Sequence, residues 1–373
     1  MSRNTFASIS LAAIQHNFEV IRKLAPDSKI ASVVKADGYG HGIQRVAGAL
    51  KNSDLLAVAT PAEAVALRDG GWSGRLLMLE GYASVDDFEL ARSLGADTVI
   101  HHRSQLEILK QQLGQQLGQQ FGQQGAQRAD GNHGTIWLKL DTGMHRLGFP
   151  LSDLRNIYME ITTLVGDGSV TLMSHFACAD EPGNTMTDVQ IQAFDQAVQG
   201  LVAGQSLANS AGVLNFPASH RDFVRPGIML YGISPSVGVT AAQIGLKPAM
   251  TLSSELLAIN ECRKGDTVGY GATYQCPEDM RIGVAAIGYG DGYPRQLRNG
   301  TPVLVNGRKS CLAGRVSMDL ITLDLRGHDD AVTGDPVVLW GEGLPIESVA
   351  AWADDFPYGF ICGVTSRVPR VSC

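Results

Sequence analysis

Short apolar runs alternate with helix-period segments across roughly the first two thirds of the chain. Eight runs read as buried strands: residues 29–34, 55–59, 75–79, 97–101, 135–140, 169–174, 205–209 and 222–224. Between them, stretches such as "IQRVAGALKN", "PAEAVALRDGG", "VDDFELARSLG", "DLRNIYMEITTL" and "DVQIQAFDQAVQGL" place apolar residues at helical spacing. A further helical stretch, "LAAIQHNFEVIRKLA", precedes the first run. This alternation predicts βαβ units around a parallel sheet. Eight strands in roughly 220 residues is the count and length of a (β/α)8, TIM-like barrel, expected here over residues 10–238. A doubly wound open sheet is the competing layout, but its G-x-G-x-x-G fingerprint is missing after the first strand. From about residue 239 the pattern changes. "MTLSSELLAINECRKGDTVGYGATY", "MRIGVAAIGYGDGY" and "TPVLVNGRKSCLAGRVSMDLITLDL" are β-rich and punctuated by Gly and Asn-Gly. The expected fold class is therefore α/β, a barrel followed by a mainly-β C-terminal domain over residues 239–373.

One segment breaks the rhythm. Residues 110–131 form a low-complexity insert built on a QQLG repeat, with Leu113, Leu117 and Phe121 at helical spacing. Glycine at each repeat weakens a helix by about 1 kcal/mol relative to alanine. A repeat expansion of the helix after the fourth strand is favoured over an interaction helix. That connection lies on the barrel face opposite an active site.

Composition narrows the function. The chain has 373 residues, 44% of them hydrophobic and 18% charged, ample for a packed core. A formal charge of −7 without a basic cluster argues against a nucleic-acid partner. No long apolar run suggests a membrane span or a leader, so a cytoplasmic location is expected. The six cysteines show neither CxxC nor clustering with histidine, so reduced thiols and no metal are expected.

Barrel enzymes carry their chemistry at the C-terminal ends of strands. Read there, the chain offers Lys35 and Tyr39, then Lys139, Asp141 and Arg146, then His175, Asn209 and Ser210, and finally Arg225 and Gly227. Each alone has a bland reading: a lysine snorkelling at a strand end, a satisfied core histidine, a plain turn. Together they gain weight. Ser210 and the backbone of "RPGI" could donate to a phosphate. A lysine desolvated beside a phosphate site suits Schiff-base chemistry, as a lysine aldolase or with pyridoxal phosphate.

The motifs "VVKADGYGHG", "IWLKLDTGMHRLGF", "SHFACADE", "ANSAG", "VRPGIMLYG", "VGYGATY", "IGYGDGYPR" and "AGRVSMDL" closely resemble alanine racemase in order and spacing. The resemblance spans the chain except the QQLG insert. It implies a barrel binding pyridoxal 5'-phosphate (fold type III), with residues 1–9 joining the β domain. It also implies a head-to-tail homodimer with shared active sites, interconverting L- and D-alanine through a cofactor aldimine. By resemblance, Lys35 holds the cofactor and is one of two bases; Tyr270 of the other subunit is the second. Two bases on opposite faces are what racemisation requires. A tyrosine acting as base needs a positive environment, for which His175 and Arg225 are the candidates. Arg225 resembles the residue facing the pyridine nitrogen and His175 the one beside the ring. Asn209 belongs to the cofactor-binding set, and Tyr39, Ser210, Gly227, Ile228 and Tyr358 resemble phosphate ligands. Arg146 and the Met318 backbone resemble the substrate-carboxylate site. Lys139 matches a position carbamylated in many relatives, the bland alternative being an ordinary Lys–Asp strand end. Tyr289 and Tyr293 resemble residues narrowing the access channel, with Arg315 and Asp319 supporting that wall. Two departures stand out: Gly359 follows Tyr358 where relatives usually carry an acidic residue, and Gly38 stands where alanine is common.

Three other readings compete. A decarboxylase of the same fold class expects a cysteine from the second domain at the site and has no use for "VGYGATY". A broader amino-acid racemase differs only in substrate range, against which Tyr289 and Tyr293 suggest a small substrate. A pyridoxal-phosphate carrier needs no β domain. A biosynthetic role in peptidoglycan and a catabolic one fit the sequence equally.

Overall fold

The computed structural model describes residues 4–120, 134–166 and 168–373. The strands of the first two thirds are β1 (Phe6–Ile9), β2 (Lys29–Val33), β3 (Leu55–Val58), β4 (Leu76–Met78) and β5 (Asp97–Ile100). They continue as β6 (Ile136–Asp141), β7 (Phe149–Pro150), β8 (Val170–Met173), β9 (Gly204–Asn209) and β10 (Phe223–Arg225). Eight of these pair in parallel in the order β2, β3, β4, β5, β6, β8, β9, β10, and β10 returns to β2. The ring is closed, so it is a barrel and not an open sheet. All eight lie within a residue or two of the runs read from the sequence. β3, β4, β5 and β8 are buried at every position, because the lumen covers one face and helices the other.

Local chemistry sets the helix starts. Ser10 caps the helix Leu11–Leu24 by accepting from the Ala13 N–H, and Ile14, Phe18 and Ile21 form its buried stripe. Thr60 and Glu63 form a reciprocal capping box on Pro61–Asp69. After the fourth barrel strand, a helix runs from Arg103 to Gln120 and buries Leu106, Leu109 and Leu113. The rest of the QQLG repeat, 121–131, lies outside the described residues. At the N-terminal end of the strands, the buried Asp97 carboxylate accepts from the Thr135 N–H (2.8 Å), Trp137 Nε1 (3.3 Å) and Arg75 (2.6 Å).

The second domain contains β11 (Met250–Cys262), β12 (Thr267–Val268), β13 (Tyr274–Gln275), β14 (Met280–Ala285) and β15 (Pro302–Val305). It continues with β16 (Arg308–Leu312), β17 (Ile321–Asp324), β18 (Pro336–Trp340) and β19 (Arg370–Ser372). The sheet order is β14-β17-β16-β15-β18-β11-β1-β19, with β14 also paired to β11. β11 alternates buried and part-buried residues from Met250 to Leu256, as a strand with one covered face does. β1 lies antiparallel to β11 and parallel to β19, so the start of the chain belongs to this sheet and not to the barrel. Among the described residues, no helix is long and apolar enough to cross a membrane.

Candidate active site

Lys35 follows β2 at the C-terminal mouth of the barrel and is half-buried. The backbone just beyond it is unusual: Ala36, Asp37, Gly38 and Tyr39 have φ of 53°, 53°, 62° and 51°. Three of these carry side chains that each cost roughly 1–2 kcal/mol in a left-handed turn. The surroundings hold the turn in place. The Ala36 N–H donates to Glu63 Oε1 (2.6 Å) and the Ile43 N–H to Asp37 Oδ1 (2.8 Å). The Tyr39 ring stacks on Tyr231 with centroids 4.7 Å apart, and Tyr231 in turn donates to the Val33 carbonyl. Glu63 thus serves both its own helix cap and the turn after Lys35. Neither Glu63 nor Tyr231 stood out in the sequence, because nothing local ties them to Lys35.

The Tyr39 hydroxyl reaches the end of β10. A Cβ placed on Gly227 would stand 2.5 Å from it, so only glycine leaves room there. The Gly227 and Met229 N–H groups donate to Ser210 Oγ at 2.8 and 3.4 Å. Ile228 opens the short turn Ile228–Tyr231 and is buried. Asn209 accepts from the Gly212 N–H and caps the helix Ser210–Asn215, so its side chain serves the frame of this cradle. The Tyr358 ring, brought in from the second domain, lies 6.3 Å from that of Tyr39.

Below the cradle the charge is one-sided. Arg225 is 4% exposed and donates to Ser206 Oγ (2.7 Å), the Ser174 carbonyl (2.6 Å) and His175 Nδ1 (3.4 Å). Among the described residues it meets no carboxylate at ion-pair distance, and burial lowers its pKa to about 10. Lys139, 8% exposed, is lowered to about 8, first by burial and then by Arg225, Arg146 and Lys35. An ordinary Lys139–Asp pair is not what forms. The Asp141 carboxylate accepts from the Gly143 and His145 N–H groups and pairs with His145 Nδ1, so burial and the neighbouring cations outweigh it at Lys139. His175 is held far below its usual pKa by burial, then by Arg225 and Lys139. This favours a neutral His175 ring and weighs against its expected part in supplying positive charge to Tyr270. Four cationic side chains, whose one neighbouring carboxylate, Asp141, is engaged by His145, stand beside a glycine-walled cradle of hydroxyls and N–H groups and suit a ligand carrying a phosphate and a carboxylate.

The rest of the expected site lies on the β domain. Tyr270 is 72% exposed, between Gly269 and Gly271, both at φ 74°. It lines a cavity with Tyr289, Arg295, Arg315 and Met318. The Arg315 guanidinium lies over Gly271, where a Cβ would stand 3.2 Å from Nη1. Asp319 pairs with Arg367 (2.5 Å), which also reaches Asp291 in the turn that carries Tyr289. Among the described residues, none from the barrel mouth lines this cavity. Tyr293 departs from expectation: it is fully buried, stacked on Trp340 at 6.0 Å, and so belongs to the domain core and not to a channel wall. Arg295, over the Tyr289 ring at 5.5 Å, was missed although it ends the same "GYGDGYPR" motif.

The comparisons agree with this architecture. Residues 9–235 match the alanine racemase N-terminal domain and residues 249–372 the alanine racemase C-terminal domain. A relative named alanine racemase from Nitrosococcus oceani is 47% identical over 366 residues, covering 98% of each chain. The crystal structure of biosynthetic alanine racemase from Pseudomonas aeruginosa superposes with a TM-score of 0.91 at 42% identity over 100% of both chains. That of Bartonella henselae alanine racemase, with covalently bound pyridoxal phosphate, gives 0.87 at 25% identity, again over 100% of both. Two matched domains in the right order, full-length relatives and a common fold place this chain in the alanine racemase family.

Proposed function

We propose that the chain interconverts L- and D-alanine with pyridoxal 5'-phosphate, as a homodimer whose active sites are shared. The observation that carries this reading is the split site. The cationic barrel mouth around Lys35 and the Tyr270 cavity occupy separate surfaces of one chain, so a second subunit is needed to complete each. Tyr39, Ser210, Gly227, Ile228 and Tyr358 would hold the phosphate, Arg225 the ring nitrogen and Lys35 the carbonyl carbon. Bound there, the cofactor supplies an electron sink that acidifies the Cα–H of an attached amino acid. Arg225 can only donate, so the nitrogen it faces is kept unprotonated and the sink weak, which favours reprotonation over side reactions. Lys35 moves the proton on one face and Tyr270 of the other subunit on the opposite face. Arg225 and Arg315 supply the positive surroundings that Tyr270 needs, since His175 is neutral. Arg146 and the Met318 N–H bind the substrate carboxylate. A carbamate on Lys139 would place one anion among its three cationic neighbours and orient Arg146, and the lowered Lys139 pKa supplies the neutral amine that carbamylation consumes.

One observation touches the decarboxylase alternative. Cys362, from the second domain, lies within electrostatic reach of Lys35; the residue as a whole is exposed, but desolvation of its thiol raises the pKa and keeps it protonated. The exposed Tyr270 has no part in that reading.

The test has two parts. The purified protein is expected to be yellow, with borohydride fixing the cofactor covalently to Lys35 in a peptide map; a colourless protein that takes up none refutes the scheme. In Tyr270→Phe, solvent-deuterium exchange at Cα is expected to fail mainly from L-alanine. Equal loss from both enantiomers overturns the facial assignment, and carbon dioxide release in place of racemisation would select the decarboxylase.

A further inference from the structure

Two cysteines stand together at the foot of the hairpin that carries Tyr270. Cys262 ends β11 opposite Met280. From there the chain turns, runs out along β12 and returns along β13, with Thr267 opposite Gln275 and Val268 opposite Tyr274. Cys276 closes the hairpin: its carbonyl accepts from the Gly265 N–H and its own N–H donates to the Asp266 carbonyl, both at 2.8 Å. Cys276 is therefore pinned across from the segment that leaves Cys262. Its side chain is 1% exposed in a small cluster with Val268, Met280, Ile282 and Ala313, and the part-exposed Cys262 packs on the edge of that cluster. The two thiols lie close enough to interact electrostatically. Neither takes part in the proposed racemisation. Two neighbouring thiols packed on one cluster, one of them reachable from solvent, have the arrangement of a dithiol–disulfide couple.

We propose that Cys262 and Cys276 are a redox modification site, closing to an intrachain disulfide under a low-molecular-weight disulfide and clamping the stem of the Tyr270 hairpin. The part-exposed Cys262 reacts first. Its thiolate attacks one sulfur of the oxidant, breaking that S–S bond, forming a mixed disulfide and releasing one small thiolate. The Cys276 thiolate then attacks the Cys262 sulfur and expels the second small thiolate. The protein loses two electrons and two protons; the oxidant gains both and ends as two thiols. Burial raises the pKa of Cys276, so the closing step accelerates with rising pH. The bond adds a covalent closure to a stem otherwise held by backbone pairing, apolar packing and side-chain hydrogen bonds such as Gln275 to the Gly265 carbonyl, which restricts how far the hairpin can open. The couple itself rests on local geometry; its effect on catalysis rests on the racemase reading.

The test incubates full-length holoenzyme with oxidised glutathione, blocks free thiols with iodoacetamide and digests with trypsin under non-reducing conditions. Cleavage after Arg263 and Lys264 puts the two cysteines on different peptides, the second of which also contains Tyr270. The expected product is a linked peptide pair, lighter than the two free peptides by two hydrogen atoms and separated by dithiothreitol. It forms faster at pH 9 than at pH 7 and is absent from Cys262→Ser and Cys276→Ala. The melting midpoint of the wild type rises on oxidation, while that of Cys262→Ser does not. A glutathione adduct persisting on Cys262 beside an alkylated Cys276 overturns the proposal, as does recovery of both thiols alkylated while the exposed Cys362 and Cys373 are glutathionylated. Because the map reads a bond and not turnover, a failure here is distinct from a failure of the racemase reading.

Discussion

Gly227→Ala tests the cradle at its tightest point. The added Cβ would stand 2.5 Å from the Tyr39 hydroxyl and 3.1 Å from the ring carbon that bears it. Ordinary contact requires the hydroxyl to retreat by roughly 1 Å. Tyr39 has little freedom to do so: its ring is stacked on Tyr231, its carbonyl is bonded to His41 Nδ1, and its backbone sits in the left-handed turn. Overpacking of this kind costs about 1–3 kcal/mol, and a lost hydrogen bond to a charged group about 1.5–3 kcal/mol. If the hydroxyl is a phosphate ligand, cofactor affinity should fall by about 10- to 100-fold. The assay is titration of cofactor-stripped protein with pyridoxal phosphate, followed by fluorescence quenching, for wild type, Gly227→Ala, Tyr39→Phe and the double variant. Tyr39→Phe removes the oxygen that the new methyl meets, so the double variant should lose much less than the sum of the single losses. Unchanged affinity in Gly227→Ala, or strict additivity in the cycle, would refute the view that Tyr39 and Gly227 wall one phosphate site.

Three further outcomes are expected. Lys139, lowered to about 8 from 10.5, binds fewer protons folded than unfolded between those values, so its contribution to stability rises with pH through that window. Lys139→Met should flatten the rise, on the order of 3 kcal/mol, in urea midpoints measured from pH 7.5 to 11; an unchanged slope counts against a buried, crowded ammonium. Asp97→Ala strands the Thr135 N–H and the buried Trp137 Nε1, and should cost about 2–4 kcal/mol in urea unfolding while sparing turnover, because Asp97 lies at the barrel end away from Lys35. His175 should stay neutral well below its usual pKa, so its ring proton resonance, assigned with His175→Asn, should not titrate between pH 5 and 8. A midpoint near 6.5 would restore it as a source of charge.

The barrel was legible because each strand is covered on both faces and therefore appears as an unbroken apolar run, such as Leu55–Val58 or Val170–Met173. The site was legible as a set of strand-end residues and motifs, and Lys35, Lys139, Ser210 and Arg225 do gather at one mouth. What stayed hidden was pairing over distance. Glu63 reads locally as a helix cap, yet its second oxygen holds Ala36. Tyr231 reads as a core aromatic, yet it is the surface on which Tyr39 stacks. Tyr293 shared a motif with Tyr289 but points into the domain core, since neighbours in a turn need not face the same way.

By itself, then, the order of residues determined the alternation of strand and helix, the change to a β domain, and the reactive groups at strand ends, because periodicity and turn chemistry are local properties. Only the tertiary structure decided their consequences. Closure of β10 onto β2 sets Arg225 among Lys139, Lys35 and Arg146, and it is burial together with this crowding that lowers the pKa of His175 and of Lys139. The return of β1 to the far sheet, the left-handed turn after Lys35 and the separation of Tyr270 from the barrel mouth likewise arise from long-range pairing. No window of sequence contains them, because the energy that stabilises each comes from residues tens to hundreds of positions away.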